Sequence, residues 1–557
     1  MRPAAALLAS LLLLPACGSD TTAPASGPVV APEIERQAGT VRLSVDAGRT
    51  TRSISEEIYG LNFAPRALAS ALDLPVDRWG GDSTETYNWK IHAANQGVNY
   101  YFTNFSDCWS ARFDYCTSGR DFSGVDEQIE QDRQIGSRTL LTLPTMGWVA
   151  KDGSLDGPGS CSYPTSTYPR QDDVDPYNPD CGNGVVGGRV VTSPPVDPRN
   201  AGLAVGATFN RQWVQSLVST YGDAAHGGVG IYALGNEPGL WADTHRSFQQ
   251  QPLGFDDLWQ RASAVAQAVK SADPTADVLG PSEWGWISYF CSGQDNPFER
   301  ACTPQSPDRA DHGGTDLASW YLQQFAALEQ RTGVRHLDYF DWHYYPQASG
   351  DAYAPATNVT RPLWDPSYVD PSYIEERIQL IPRMRRLVED NYPGTKLAVT
   401  EYNLGLDVTS DRRLQNVIQA DTLGIFGREG LDLATYWPED RSPVPEQAFR
   451  MYRNYDGQGA RFGDLGVAAT SSDQGRVAVY AARAGATGPL TVLIVNKGAG
   501  AVSAPLTLRG FPHAPAARVY QYAGKGIVRR PDATVSKTGF TLSYPGRSIT
   551  LVAVRGR

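Results

Sequence analysis

The sequence predicts an α/β architecture: a TIM-like (β/α)8 barrel followed by a C-terminal β-sandwich. Three observations lead there. Short β-rich segments recur at residues 58–64, 76–80, 139–144, 230–237, 277–283, 337–345, 396–402 and 433–437. Amphipathic stretches with helical spacing separate several of them, at 256–272, 316–332, 374–391 and 413–429, the alternation a parallel barrel requires. From about Arg441 the pattern changes to short alternating segments divided by Gly and Pro turns, at 477–482, 490–496, 504–508, 518–522, 540–542 and 548–554; that pattern reads as a sandwich.

Taken in order, the chain opens with an address. Arg2 precedes an apolar stretch, residues 4–14, that is too short to span a bilayer. It ends in Leu14-Pro15-Ala16-Cys17-Gly18-Ser19, which resembles a bacterial lipobox whose Cys17 becomes the lipidated first residue. Plain signal-peptidase cleavage is the alternative, since Pro15 is uncommon at its position. Residues 1–17 are therefore expected to be a lipoprotein signal peptide, and 18–39 a flexible linker reaching about 70 Å when extended. Residues 40–55 carry strands at 40–45 and 52–54 that are expected to join the sandwich. Residues 56–440 form the barrel and 441–557 the sandwich. Within the barrel, 88–137 and the Pro/Gly/Asp-rich stretch 150–200 are expected to be long loops. The protein is expected to be exported, either membrane-anchored at the cell surface or in the periplasm, or secreted.

Composition narrows the partners. Sixty acidic residues against 49 basic ones give a net charge of −11, which excludes a nucleic-acid partner and leaves membrane contact to the anchor alone. Thirteen Trp and 27 Tyr outweigh 17 Phe, a bias toward amphipathic rings that suits a wet groove for something flat and neutral. Seven cysteines less Cys17 leave three sequence-local pairs: Cys108 with Cys116, Cys161 with Cys181, and Cys291 with Cys302. Fifteen connectivities are open to six cysteines; local pairing is expected, because an oxidising compartment favours disulfides. A monomer is expected.

The chemistry lies at strand ends. The fourth strand runs Ile231-Tyr232-Ala233-Leu234-Gly235-Asn236-Glu237, and the seventh runs Leu397-Ala398-Val399-Thr400-Glu401-Tyr402. Each apolar run delivers a Glu at its carboxyl end. A lone strand-end Glu can simply cap a helix or pair with an Arg. Two of them in one barrel mouth are what cleavage of a glycosidic bond requires.

Longer motifs make a resemblance specific. They are Arg78-Trp79-Gly80-Gly81-Asp82, Tyr87-Asn88-Trp89, Leu234-Gly235-Asn236-Glu237-Pro238-Gly239-Leu240-Trp241 and Asp341-Trp342-His343-Tyr344-Tyr345-Pro346. Thr400-Glu401-Tyr402-Asn403, Asp421-Thr422-Leu423-Gly424-Ile425-Phe426-Gly427 and Leu433-Ala434-Thr435-Tyr436-Trp437 continue the set. Together they are similar to glycoside hydrolase family 44, in order, from about Ile58 to the C-terminus. The resemblance implies a retaining endo-β-1,4-glucanase or xyloglucanase with Glu237 as acid/base and Glu401 as nucleophile. The cysteine-bearing insertions depart from the family pattern.

Around that pair, Asn236 is a candidate to hydrogen-bond a sugar 2-hydroxyl, the alternative being that it only fixes the strand-end turn, and His343 and Tyr345 are candidates to orient Glu401 or the sugar. Arg78 is expected to bond a carboxylate or a sugar. Trp79, Trp241, Trp284, Trp342, Trp364 and Trp437 are candidate stacking platforms, each more often core than platform taken singly. No cofactor is required for catalysis. A structural calcium is the one metal expectation, with Asp152 and Asp156 in a run that begins like a calcium loop but places Tyr163 where the bidentate Glu belongs; Asp172, Asp173 and Asp175 lie nearby. No GxSxG, HExxH or P-loop motif occurs. The alternatives are a hydrolase of mannan or xylan and a non-catalytic glycan-binding lipoprotein.

Overall fold

The computed structural model describes residues 40–106, 123–153, 159–295 and 300–557. Cys17, the linker, Cys108, Cys116 and Asp156 lie outside the described residues.

Parallel strands close into a barrel: Gly60–Asn62, Val76–Trp79, Arg138–Leu143, Ile231–Leu234, Asp277–Glu283, Tyr339–Trp342, Lys396–Tyr402 and Leu433–Tyr436. The last pairs with the first through Thr435 on Gly60 and Tyr436 on Leu61. Inside, Val76, Leu140, Ile231, Ala233, Leu279, Tyr339, Ala398 and Leu433 form one buried cluster, so the barrel is a packed core and not a pore. A larger cluster fills the layer between strands and surrounding helices.

Helices Phe255–Ala272, Leu317–Thr332 and Arg412–Glu429 lie where the periodicity places them. The stretch 374–391 is helical only over Leu380–Asn391, because Gln379 before it takes a left-handed φ of 46°. The expected loop 88–137 contains helix Gly124–Ile135. Its start is a capping box, in which Ser123 accepts from the Asp126 amide while Asp126 accepts from that of Ser123, and Gly136 closes its end.

The stretch 150–200 is built by few regular elements. A disulfide joins Cys161 to Cys181, and Phe102, Tyr163, Tyr168 and Val196 make a small core beneath it. A second disulfide joins Cys291 to Cys302.

The C-terminal strands form one nine-stranded, largely antiparallel sheet around its own apolar cluster. The strands expected at 40–45 and 52–54 are one strand, Leu43–Ser53, with register shifts after Asp46 and Thr50. It pairs antiparallel with Leu465–Ser471 and parallel with Val502–Arg509. Sheet and barrel meet over a buried ion pair. Lys497 Nζ donates to Asp421 Oδ2 at 2.8 Å, beside Thr360 Oγ1 at 2.7 Å, and Tyr480 OH donates to Oδ1 at 2.7 Å. Among the described residues no helix is long and apolar enough to cross a membrane.

Candidate active site

Parallel strands point their carboxyl ends to one face of a barrel, so residues at those ends converge. Glu401 lies on the seventh strand, Glu283 ends the fifth, and His343 and Trp437 immediately follow the sixth and eighth. Glu237 stands three residues past the fourth strand's last residue, Leu234.

Arg78, wholly enclosed on the second strand, organises one side. Its Nη1 donates to Glu401 Oε1 at 2.7 Å and to Asn62 Oδ1 at 3.0 Å, and its Nη2 donates to Asn236 Oδ1 at 2.8 Å. Tyr345 donates its hydroxyl to Glu401 Oε2 at 3.1 Å. His343 is buried between the carboxyls, with Nδ1 2.9 Å from Glu237 Oε1 and 3.6 Å from Glu401 Oε2. Its Nε2 faces Thr400 Oγ1 at 3.3 Å and Asp341 Oδ2 at 3.9 Å. One oxygen from each glutamate and one nitrogen of His343 all lie within 4.8 Å of one another.

These contacts set the electrostatics. Burial pushes the Glu237 carboxyl above the usual carboxylate range; the bond and charge of His343 oppose this, while Glu401 and Asp82 add to it. Burial disfavours charge on His343, yet Glu401, Glu237 and Asp341 raise it above an ordinary imidazole. Such an arrangement can hold a proton on Glu237 beside a second carboxyl that a guanidinium and a phenol orient.

Two further carboxyls stand behind the pair, and the sequence reading passed over both. Glu283 is buried, accepts from Gly239 N at 3.0 Å, and is pushed up to about 8, chiefly by burial. It carries the same signal as Glu237 and Glu401, an apolar strand ending in Glu. Glu85 is buried in the turn Asp82–Thr86, accepts from Met146 N at 2.6 Å and Asn236 N at 2.9 Å, and is pushed up to about 7 by burial. Nothing in its local sequence marks it.

Several expected sugar contacts are corrected. Arg78 is closed off from the mouth, so of its two expected partners the carboxylate holds and the sugar does not: it bonds Glu401, with Asn62 and Asn236 beside it. Trp241 is 1% exposed and donates its indole N–H to the Asn236 carbonyl at 2.8 Å, so it supports the turn from below. Trp79 packs between Tyr87 and Trp213, and Trp342 stacks on Tyr289 with ring centres 4.1 Å apart. Trp364 lies under the Arg428 guanidinium, 4.2 Å from its ring centre. Arg428 is in the last turn of Arg412–Glu429, and that helix runs from the mouth back to the far end of the barrel.

Trp437, Trp284 and Trp364 remain partly open. Trp437 lies over Gly81, whose φ is 99° and where a Cβ would sit 2.4 Å from the indole; only glycine lets this ring lie so low. Asn236, His343, Tyr345 and Trp437 are thus brought together with Glu237 and Glu401.

The described part of the proposed calcium loop does not fit a cation. Asp152 takes Ser160 N at 2.9 Å, Ser160 Oγ at 2.6 Å and Asn104 Nδ2 at 3.0 Å. Asp172 takes the Gly187 and Gly188 amides, while Asp173 and Asp175 take the hydroxyls of Tyr101 and Tyr100. Hydrogen-bond donors, which a cation would displace, hold Asp152, Asp172 and Asp173, whereas the buried Oδ2 of Asp175 has no hydrogen-bond partner.

Comparison with known proteins agrees with this geometry. Residues 93–348 match the family model of glycoside hydrolase family 44. The chain is 35% identical to CelM2, a bifunctional glucanase-xylanase from a metagenome library, with a TM-score of 0.86 over 94% of this chain and 100% of that one. A family 44 xyloglucanase of Paenibacillus polymyxa is 26% identical, with a TM-score of 0.76 over 93% and 100% of the two chains. Endoglucanase A of Paenibacillus lautus is 28% identical over 544 residues, 92% of this chain and 72% of that protein.

Proposed function

This chain belongs to glycoside hydrolase family 44, and from that premise we propose that it is a retaining endo-β-1,4-glucanase acting on soluble or branched β-glucan such as xyloglucan. The observation that carries the mechanism is the approach of Glu237 and Glu401 oxygens within 4.8 Å. Retaining enzymes hold their carboxyls about 5–5.5 Å apart, whereas inverting ones leave room for water at about 6.5–9.5 Å.

In the first step Glu237 passes its proton to the glycosidic oxygen as the bond to the anomeric carbon breaks. A Glu401 oxygen bonds to that carbon and a glycosyl-enzyme forms. Its carboxylate is aimed by Arg78 and Tyr345. Once Glu401 is esterified its charge no longer raises Glu237, which therefore accepts a proton from the incoming water. Water bonds to the anomeric carbon and Glu401 leaves as carboxylate. Asn236 gives its amide oxygen to Arg78, leaving its N–H groups for a sugar 2-hydroxyl. Trp437 supplies a stacking face. No proposed step calls on a cofactor.

Azide separates the roles. Glu237→Ala should keep activity on an activated aryl cello-oligoside and, with azide, give the retained β-azide. Glu401→Ala should give the inverted α-azide. Swapped products would reverse the assignment, and rescue in neither would remove both residues from it. A polysaccharide panel read by reducing ends tests the substrate, with xylan the second reading because CelM2 is named a glucanase-xylanase; activity on xylan alone would overturn the glucan assignment. Retardation in glucan gels without new reducing ends would make the protein a binder. We also propose tethering through Cys17: Cys17→Ser should release the protein from the membrane fraction at unchanged specific activity.

A further inference from the structure

Glu237 has a backbone φ of 47° and ψ of 54°, a left-handed conformation that costs free energy for any residue with a Cβ. Something must hold it there, and the amides of its turn show what does. Gly235 N donates to the Leu143 carbonyl at 3.1 Å, and Glu237 N to the Ser282 carbonyl at 2.9 Å. Pro238 has no N–H. The remaining two amides do not go to backbone. Asn236 N goes to Glu85 Oε2 at 2.9 Å, and Gly239 N goes to Glu283 Oε1 at 3.0 Å. Both carboxyls are buried, and both belong to other parts of the mouth.

Glu85 also takes the amides of Thr145 and Met146 beyond the third strand. Glu283 gives its own carbonyl to His343 N at 2.8 Å, so one residue holds the turn of Glu237 and the backbone of its imidazole partner. The fit on both sides is close. A Cβ at Gly235, whose φ is 81°, would sit 2.8 Å from Glu85 Oε2, and one at Gly239 would sit 2.8 Å from Glu283 Oε2. Only a bare backbone approaches the two carboxyls this closely.

We propose that Glu85 and Glu283 are positioning residues of the reaction: they grip the turn 235–239 from its two sides and so fix the direction from which Glu237 delivers its proton. Neither reaches the reacting atoms; each acts through Glu237. This rests on the reading of Glu237 as acid/base.

The test is the dependence of kcat/KM on the leaving group, since kcat/KM reports the first bond cleavage. Misplacing the proton donor should matter where the leaving group needs its proton and little where it does not. Glu283→Ala and Glu85→Ala should each lower kcat/KM on cellotetraose about 100-fold, and on a 2,4-dinitrophenyl cello-oligoside less than about fivefold. Glu283→Gln keeps an amide oxygen for Gly239 N and should recover cellotetraose cleavage to within about threefold. Thermal melting of each variant accompanies the kinetics. Equal losses on both substrates in the Ala variants would show a merely structural role and overturn the proposal, as would no loss on either. Glu237→Ala is the control. If it does not spare the activated substrate, the acid/base reading falls and this proposal with it. If it does and the Glu85 and Glu283 variants do not, the proposal alone falls.

Discussion

Replacing Glu283 with Gln should remove a loss of stability that the wild-type protein suffers between pH 5 and pH 8. In the unfolded chain this carboxyl titrates near its usual 4.5; in the folded barrel, burial first and then the charge of Glu237 hold it at about 8 against the amides of Trp284 and Gly239 and the charge of His343. Tyr321, on helix Leu317–Thr332, faces it as well. Between those two values the folded state keeps a proton that the unfolded state has lost. Stability therefore falls as pH rises. The slope for one proton is about 1.4 kcal/mol per pH unit, so the span from pH 5 to pH 8 is worth about 4 kcal/mol. Glu85, held at about 7, contributes a decline of the same sign to both proteins, and it cancels in their difference. Urea unfolding followed by tryptophan fluorescence at pH 5, 6, 7 and 8 gives that difference. The Gln variant should gain on wild type by about 4 kcal/mol across the series. A difference that stays flat to within about 0.5 kcal/mol would mean that Glu283 titrates alike in both states, and the reasoning from its burial would fail.

Lys497→Met should destabilise the protein by about 3–5 kcal/mol in urea, because it removes the ion-pair partner of the buried Asp421 carboxyl and leaves it two hydroxyl donors; adding Asp421→Leu should recover most of that loss. Replacing Cys161 and Cys181 together with Ser should lower stability by about 3 kcal/mol, from the chain entropy of a loop with a sequence separation of 20. Trp437→Ala should raise KM for glucan about tenfold at unchanged melting temperature, since it removes a partly open ring. Trp241→Ala should instead cost about 3–5 kcal/mol of stability, because that ring is core.

The barrel was legible because its strands announce themselves twice, as apolar runs and as the polar residues that end them. Glu237 and Glu401 stand out that way, and Glu283 falls under the same rule, since the apolar run 277–283 also ends in its Glu. Glu85 was not within reach. It occupies a turn, and its importance comes from the Met146 and Asn236 amides that only the fold brings to it. The buried tryptophans are hidden for a related reason: Trp79 and Trp241 stand near polar motifs in sequence, but exposure depends on what packs across them, and Trp213 reaches Trp79 from a distant helix while Trp241 folds back onto the carbonyl of Asn236 in its own motif. Helix Gly124–Ile135 shows in its caps, Ser123 with Asp126 at one end and Gly136 at the other, and not in its hydrophobic spacing.

The place of strand Leu43–Ser53 has a consequence for how the molecule is made. Leu43 pairs with Ser471 on one side and Leu506 on the other, so this strand, the first among the described residues, waits through the whole barrel for both neighbours. Its ladder can form only when the last fifth of the chain has arrived, which makes the sheet a late, long-range event in folding. Cutting the chain after residue 440 would not yield a free-standing barrel. It would leave Leu43–Ser53 with two bare edges and an apolar face, a seed for pairing with other chains.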